Sequence, residues 1–171
     1  MIEINNFIGG KNVASETDNY ISLSKPTTGE EYAKVPITTK KEFNKVIEEM
    51  KIAQLEWAET ALTKRSSILF KFKNLIEKNF DEIATIISNE HGKVFSDAKG
   101  SLQRGLEVVD FACGIPHLLK GSHSINVGTN VDSFDIRQPL GISAGITPFN
   151  FPAMVPMWMF PISIACGNAF L

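Results

Sequence analysis

Two polar side chains stand in apolar company where chemistry would use them. One is Asn150, inside Thr147-Pro148-Phe149-Asn150-Phe151-Pro152; the other is Arg104, inside Gln103-Arg104-Gly105-Leu106-Glu107. An asparagine amide donates two hydrogen bonds, so a buried Asn150 must find partners, either by capping the helix that follows or by steadying an oxyanion. Arginine offers a fork of donors that fits a carboxylate, and its charge costs several kcal/mol to bury unpaired. Arg104 therefore has two readings, a salt bridge to an internal carboxylate such as Asp110 or Glu107, or an anchor for an anionic ligand. Other reactive groups are poorer candidates. Cys113 and Cys166 lie far apart in apolar runs, match no metal or redox spacing and have no base or cation nearby to make a thiolate. His91 has no second ligand close in sequence and reads as a surface-turn residue; His117 and His123 are no better placed, so no metal site is expected.

The element that must position Asn150 is a strand, a tight turn and a helix. Residues 140–147 form an apolar run with small gaps at Gly141 and Gly145, the pattern of a buried strand. Pro148 and Pro152 fix the turn, and Pro152 suits the first turn of a helix, where its missing N–H costs nothing. Residues 149–165 are apolar enough to raise a membrane span, but Pro152, Pro156 and Pro161 and the lack of charged flanks favour a proline-interrupted core helix. Arg104 should ride on a helix capped by Ser96 and running to about Gly114, ahead of Pro116. Leu102, Leu106, Val109 and Cys113 make one stripe of it, and Arg104, Val108, Phe111 and Ile115 a second.

The remainder is scaffold. Short β-like pieces fill residues 6–35, with Gly9-Gly10 as a hairpin turn. Thr39 and Glu42 have capping-box spacing and open a helix over 40–62 whose inner face carries Phe43, Val46, Met50 and Trp57. The helical pattern restarts at Thr63 and again at Asp81, and Gly92 ends it. Residues 124–128 and 133–138 alternate around Gly128-Thr129-Asn130 as a hairpin whose Ile125, Val127, Phe134 and Ile136 have no mate in the chain. Hydrophobic residues at 43%, charged residues at 21% and 171 residues in all describe one core-bearing domain. A net charge of -2 gives nothing to attract nucleic acid or anionic lipid. The opening residues hold neither a signal peptide nor an Arg-rich presequence, so a cytoplasmic location is expected.

The run from Pro139 to Pro152, continued by Met159-Phe160-Pro161 and Gly167-Asn168, resembles the aldehyde dehydrogenase superfamily around its Pro-(Trp/Phe)-Asn-Phe-Pro motif. Within it, the chain most resembles the CoA-acylating branch that acts on methylmalonate semialdehyde, which shares Phe149 where most members carry tryptophan. Gln103 to Val109 is similar to that branch, and Glu90-His91-Gly92-Lys93 to the family's Glu-x-Gly-Lys turn. The resemblance implies an α/β fold, the N-terminal part of the aldehyde dehydrogenase fold. It divides into strands and helices over 1–122, a protruding oligomerisation hairpin over 123–139, and the first strand-helix unit of a Rossmann-like cofactor domain over 140–171. It also implies an oxyanion role for Asn150, contacts of Thr147 and Phe149 with NAD, and a hold of Arg104 on the substrate carboxylate. Coenzyme A would take the acyl group, in a step of valine catabolism, and the hairpin would join neighbouring subunits in a homo-oligomer, a tetramer in the family. The Gly-x-Gly-x-x-Gly fingerprint is missing, but this family binds its cofactor without one. Members are roughly three times longer, as a cofactor domain plus a catalytic domain requires. The present residues stop before the family's nucleophilic cysteine, so the chain alone is expected to be inactive, and poorly soluble because its cofactor strand lacks sheet partners. Two alternatives stand beside this reading: another semialdehyde dehydrogenase, such as one for succinate semialdehyde, or a truncated paralogue that binds a full-length subunit.

Overall fold

Five short strands open the chain in the computed structural model, which describes residues 1–171: β1 (Ile2–Glu3), β2 (Asn6–Ile8), β3 (Lys11–Val13), β4 (Tyr20–Ser24) and β5 (Glu31–Pro36). β2 and β3 pair antiparallel across Gly9 and Gly10, as the sequence predicts. β5 is the centre of a three-stranded sheet, antiparallel to β4 and parallel to β1.

Four long helices follow, α1 (Lys40–Ala58), α2 (Leu62–Lys78), α3 (Phe80–His91) and α4 (Phe95–Cys113), then the short α5 (Ile115–Leu118). The capping box of α1 is formed: Glu42 N–H donates to Thr39 Oγ1 at 3.2 Å, and the Glu42 carboxylate accepts from Thr39 N–H at 2.8 Å. That carboxylate also accepts from Ser15 Oγ at 3.0 Å and Glu16 N–H at 2.8 Å. One side chain thus caps the helix and ties down the segment ahead of β4. α1 ends at Ala58 rather than near Leu62, because Ala61 turns extended (φ −52°, ψ 139°) and starts α2.

Ser96 does not cap α4. The cap is Val94, extended at φ −63° and ψ 148°, whose carbonyl accepts from Asp97 and Ala98 N–H, each at 3.0 Å. Gly92 sets this entry: it closes α3 in the left-handed region (φ 83°), and a Cβ there would sit 2.9 Å from Thr27 Cγ2. The expected inner stripe of α4 is buried, with Leu102 and Val109 fully enclosed, each contributing about 1.5–3 kcal/mol of apolar burial. The second stripe is buried only in part: Ile115 is in the core and Val108 is half-buried. Arg104 and Phe111 face outward, because the helix's other neighbour meets it through Ser101 and Gly105 instead.

That neighbour is α6 (Met154–Ala165). A Cβ on Gly105 would lie 3.1 Å from Met154 Cα and 2.5 Å from Met157 Cε, so glycine is what lets the two helices touch. α6 is the crossover of a parallel pair, β8 (Ile142–Ser143) and β9 (Ala169–Phe170), in register Ile142↔Ala169 and Ser143↔Phe170. The expected buried strand over 140–147 is reduced to these two residues, with ladder hydrogen bonds reaching only from Gly141 to Gly145; Leu140 is 94% and Ile146 96% exposed. Side chains from earlier helices close the last turn of α6. Trp57 Nε1 donates to the Ile164 carbonyl at 2.8 Å, Arg65 Nη1 to that of Ala165 at 2.8 Å, and Gln54 Nε2 to that of Gly167 at 3.2 Å. No helix is long and apolar enough to cross a membrane.

The predicted hairpin is present as β6 (His123–Gly128) and β7 (Val131–Phe134), every residue of it exposed. β7 begins at Val131 rather than Ser133 and stops at Phe134. Beyond it the Asp135 N–H still donates to the Ser122 carbonyl at 3.0 Å, but the Asp135 carboxylate takes the Ser122 N–H at 2.7 Å in place of a main-chain carbonyl, and the ladder ends there.

Candidate active site

The turn between β8 and α6 carries three of the four predicted site residues, Thr147, Phe149 and Asn150, all exposed, with Phe149 at 89%. Asn150 is not buried, and it caps nothing. α6 begins at Met154 behind Ala153, which gives it no side-chain cap, and Pro152 lies before the helix rather than in its first turn. The reason is the turn over 149–153, which delays the helix past both prolines and swings Asn150 outward. Its amide forms no hydrogen bond within the protein. Its main-chain carbonyl accepts from Lys93 Nζ at 2.8 Å, and the same ammonium stands 4.4 Å from the centre of the Phe151 ring.

Asn150 opens onto a cleft of about 540 Å³ between the α3–α4 junction and this turn. Its walls carry His91 and Lys93 from the junction, Asp97, Ser101 and Arg104 from α4, and Asn150 and Phe151. Arg104 is thus brought onto the same cleft as Asn150 from a site 46 residues earlier, while Thr147 and Phe149 lie outside it. The salt-bridge reading of Arg104 fails. Asp110 is taken by Lys73 of α2 at 2.6 Å, and Glu107 and Arg104 form no pair. The Arg104 guanidinium is solvent-facing, and its main chain is fixed by Trp158 Nε1, which donates to its carbonyl at 3.3 Å.

His91 is a correction of a different kind. Rather than a surface-turn residue it is the last residue of α3, half-buried, with a buried Nδ1 that has no partner. Sequence reasoning gave neither His91 nor Lys93 a place in a site. The only clue was their position on either side of Gly92, whose left-handed cap folds both toward the cleft.

Neither cysteine is poised as a nucleophile. Burial pushes both thiols above their ordinary range; the charge of nearby Asp110 adds to this at Cys113, and Arg65 only partly offsets it at Cys166. A second cavity of about 560 Å³, between α1, α2 and β9, is walled by Trp57, Ile68 and Phe170 and includes none of the predicted site residues. It lies along the open edge of β9, away from the Asn150 turn, and the polar cleft is the better candidate on chemistry.

Residues 13–171 match the profile of the Aldehyde dehydrogenase family. The chain is 46% identical over 166 residues to the mitochondrial, acylating methylmalonate-semialdehyde dehydrogenase of Arabidopsis thaliana, covering 97% of this chain and 27% of that one. It is 46% identical over 168 residues to the malonate-semialdehyde dehydrogenase of Pseudomonas aeruginosa, covering 98% of this chain and 34% of that one. A solved structure from Sinorhizobium meliloti 1021, complexed with NAD, superposes with a TM-score of 0.95 at 46% identity, over 99% of this chain and 35% of that one. The chain therefore spans about a third of the length of the relatives it matches, and its α/β fold is that of their N-terminal third.

Proposed function

The chain belongs to the aldehyde dehydrogenase family, and we propose that the complete protein oxidises methylmalonate or malonate semialdehyde with NAD and passes the acyl group to coenzyme A. The observation that carries this reading is the single cleft onto which Asn150 and Arg104 both open. An amide donor and an unpaired guanidinium lining one cleft suit a substrate with a carbonyl at one end and a carboxylate at the other. Asn150, whose amide has no protein partner to give up, donates to the carbonyl oxygen as negative charge develops there. Arg104 takes the carboxylate in a bidentate grip.

Thr147 and Phe149 hold the nicotinamide nucleotide in this reading. The local structure fits such a group: both residues are exposed just past the carboxyl end of β8, in a parallel β-α-β unit, where open α/β sheets receive nucleotides. When bound, NAD supplies the hydride acceptor. The attacking thiolate is neither Cys113 nor Cys166, since burial keeps both protonated, so these 171 residues alone are inactive. For methylmalonate semialdehyde the products are propanoyl-CoA, carbon dioxide and the reduced cofactor. The exposed β6–β7 hairpin, with Ile125, Val127 and Phe134 turned to solvent, joins a neighbouring subunit in a homo-oligomer.

The test is substrate discrimination in the full-length enzyme. Arg104→Leu should cut kcat/KM for methylmalonate semialdehyde by roughly 100-fold, the scale of losing one charged hydrogen-bonded contact, while propanal turnover changes little. Equal losses on both aldehydes would overturn the assignment, as would failure to detect an acyl-CoA product by mass spectrometry.

A further inference from the structure

Resting on the oxyanion reading of Asn150, we propose that Lys93 is a positioning residue, a cationic brace that holds the Asn150 turn at the distance and angle the amide needs.

The turn has little else to hold it. The Gly145 N–H, two residues past β8, donates to the Leu171 carbonyl at 2.8 Å, and the Phe151 carbonyl accepts the Val155 N–H at 3.2 Å, the first bond of the helical turns that follow. Between those two points, the contact of Lys93 Nζ with the Asn150 carbonyl is the one hydrogen bond joining residues 146–150 to the rest of the protein. The ammonium also lies over the Phe151 ring at 4.4 Å, which fixes the next residue by cation–π attraction. With no partner on its amide, Asn150 can be aimed only through its main chain.

Lys93 is itself anchored. Ser88 Oγ donates to the Lys93 carbonyl at 2.7 Å, and the Gly92 N–H donates to the Ser88 carbonyl at 2.9 Å, so the end of α3 sets where the lysine starts. Lys93 forms no pair with a carboxylate, so its charge stays with the turn and the ring. A carbonyl drawn toward a cation here also polarises the peptide beside the side chain that must receive negative charge.

Lys93→Met keeps the stem and removes donor and charge; Lys93→Arg keeps both. In the full-length enzyme, Lys93→Met should lower kcat by about 10- to 100-fold, the cost of a misplaced catalytic group, with KM for the semialdehyde within about twofold. Lys93→Arg should recover most of that loss, and exchange of the Val155 amide, whose N–H is held by the Phe151 carbonyl beside the braced turn, should speed up in Lys93→Met and not in Lys93→Arg. In an Asn150→Ala background, Lys93→Met should cost almost nothing more, because it acts through the group already removed. A loss that multiplies with that of Asn150→Ala, unchanged exchange of the Val155 amide, or wild-type kcat in Lys93→Met would each overturn the brace. If Asn150→Ala alone keeps full kcat, the oxyanion reading itself falls, and the brace falls with it. Lys93→Arg is the second variant should Lys93→Met fold poorly, and a loss of kcat in it equal to that of Asn150→Ala would also count against the proposal.

Discussion

Arg65 Nη1 donates to the Ala165 carbonyl across 2.8 Å, linking α2 to the end of α6 over a separation of 100 residues. Its Nε donates to the Thr60 carbonyl at 2.9 Å, and the side chain is only 6% exposed with no carboxylate beside it. Main-chain carbonyls replace the counter-ion: at the end of α6 they carry the negative pole of the helix. Burial pushes the Arg65 pKa down, which arginine tolerates while staying charged.

Replacing Arg65 by methionine should therefore destabilise the fold by about 2–4 kcal/mol, the worth of two charge-assisted bonds and the orphaned carbonyls they leave. A drop in the urea midpoint at unchanged slope is the readout. Lysine should not restore it, because one nitrogen cannot reach both carbonyls.

Gly105→Ala should cost about 1–3 kcal/mol by overpacking. The added methyl meets the α6 backbone at Met154, which cannot rotate away as Met157 can. The thermal midpoint should fall, and shortening Met157 to alanine in the same chain should recover only part of the loss.

Glu42 predicts an acid response. Its carboxylate is held at about 2 from an ordinary 4.5, first by the Thr39 hydroxyl, then by the Thr39 and Glu16 N–H groups and by Ser15. A folded-state pKa below the unfolded one means the stabilisation is fully present above pH ~4.5 and is lost as pH falls toward 2. Amide exchange around residues 15–19 should accelerate over that window. Glu42→Gln should show the faster exchange at neutral pH and lose the acid-dependent step.

Both thiols should resist alkylation. With Cys113 and Cys166 pushed up by burial, iodoacetamide at pH 8 should leave the folded chain unmodified over times that fully label it in urea. Rapid labelling of either in the native state would revive it as a nucleophile.

What the sequence disclosed was local. Thr39 and Glu42 are three residues apart, and their capping box forms as read. Gly92 stops α3 because a left-handed residue must be cheap there. Tertiary partners decided the rest. Ser96 looks like a cap, but the chain leaves Gly92 on a path that makes Val94 the cap. Asp110 looks like a mate for Arg104, but Lys73 arrives from another helix. Asn150 sits in greasy sequence that suggests burial, yet its apolar neighbours Ile146 and Phe149 are exposed with it, because the short parallel ladder makes its last hydrogen bond at Gly145. Lys93 gave no hint of its contact with Asn150, which spans 57 residues.

The two tryptophans give the molecule a private optical readout. Trp57 is half-buried with its indole N–H on the Ile164 carbonyl, whereas Trp158 is 46% exposed and hangs on the main chain of Arg104. One emits from a greasy joint between helices and the other from an exposed site bonded to the residue that reaches the cleft. Iodide should dim the second and spare the first, and an anion settling against Arg104 should shift the colour of Trp158 alone. Occupancy of the cleft can then be followed in real time by the chain's own light, with no dye attached and before any turnover is measured.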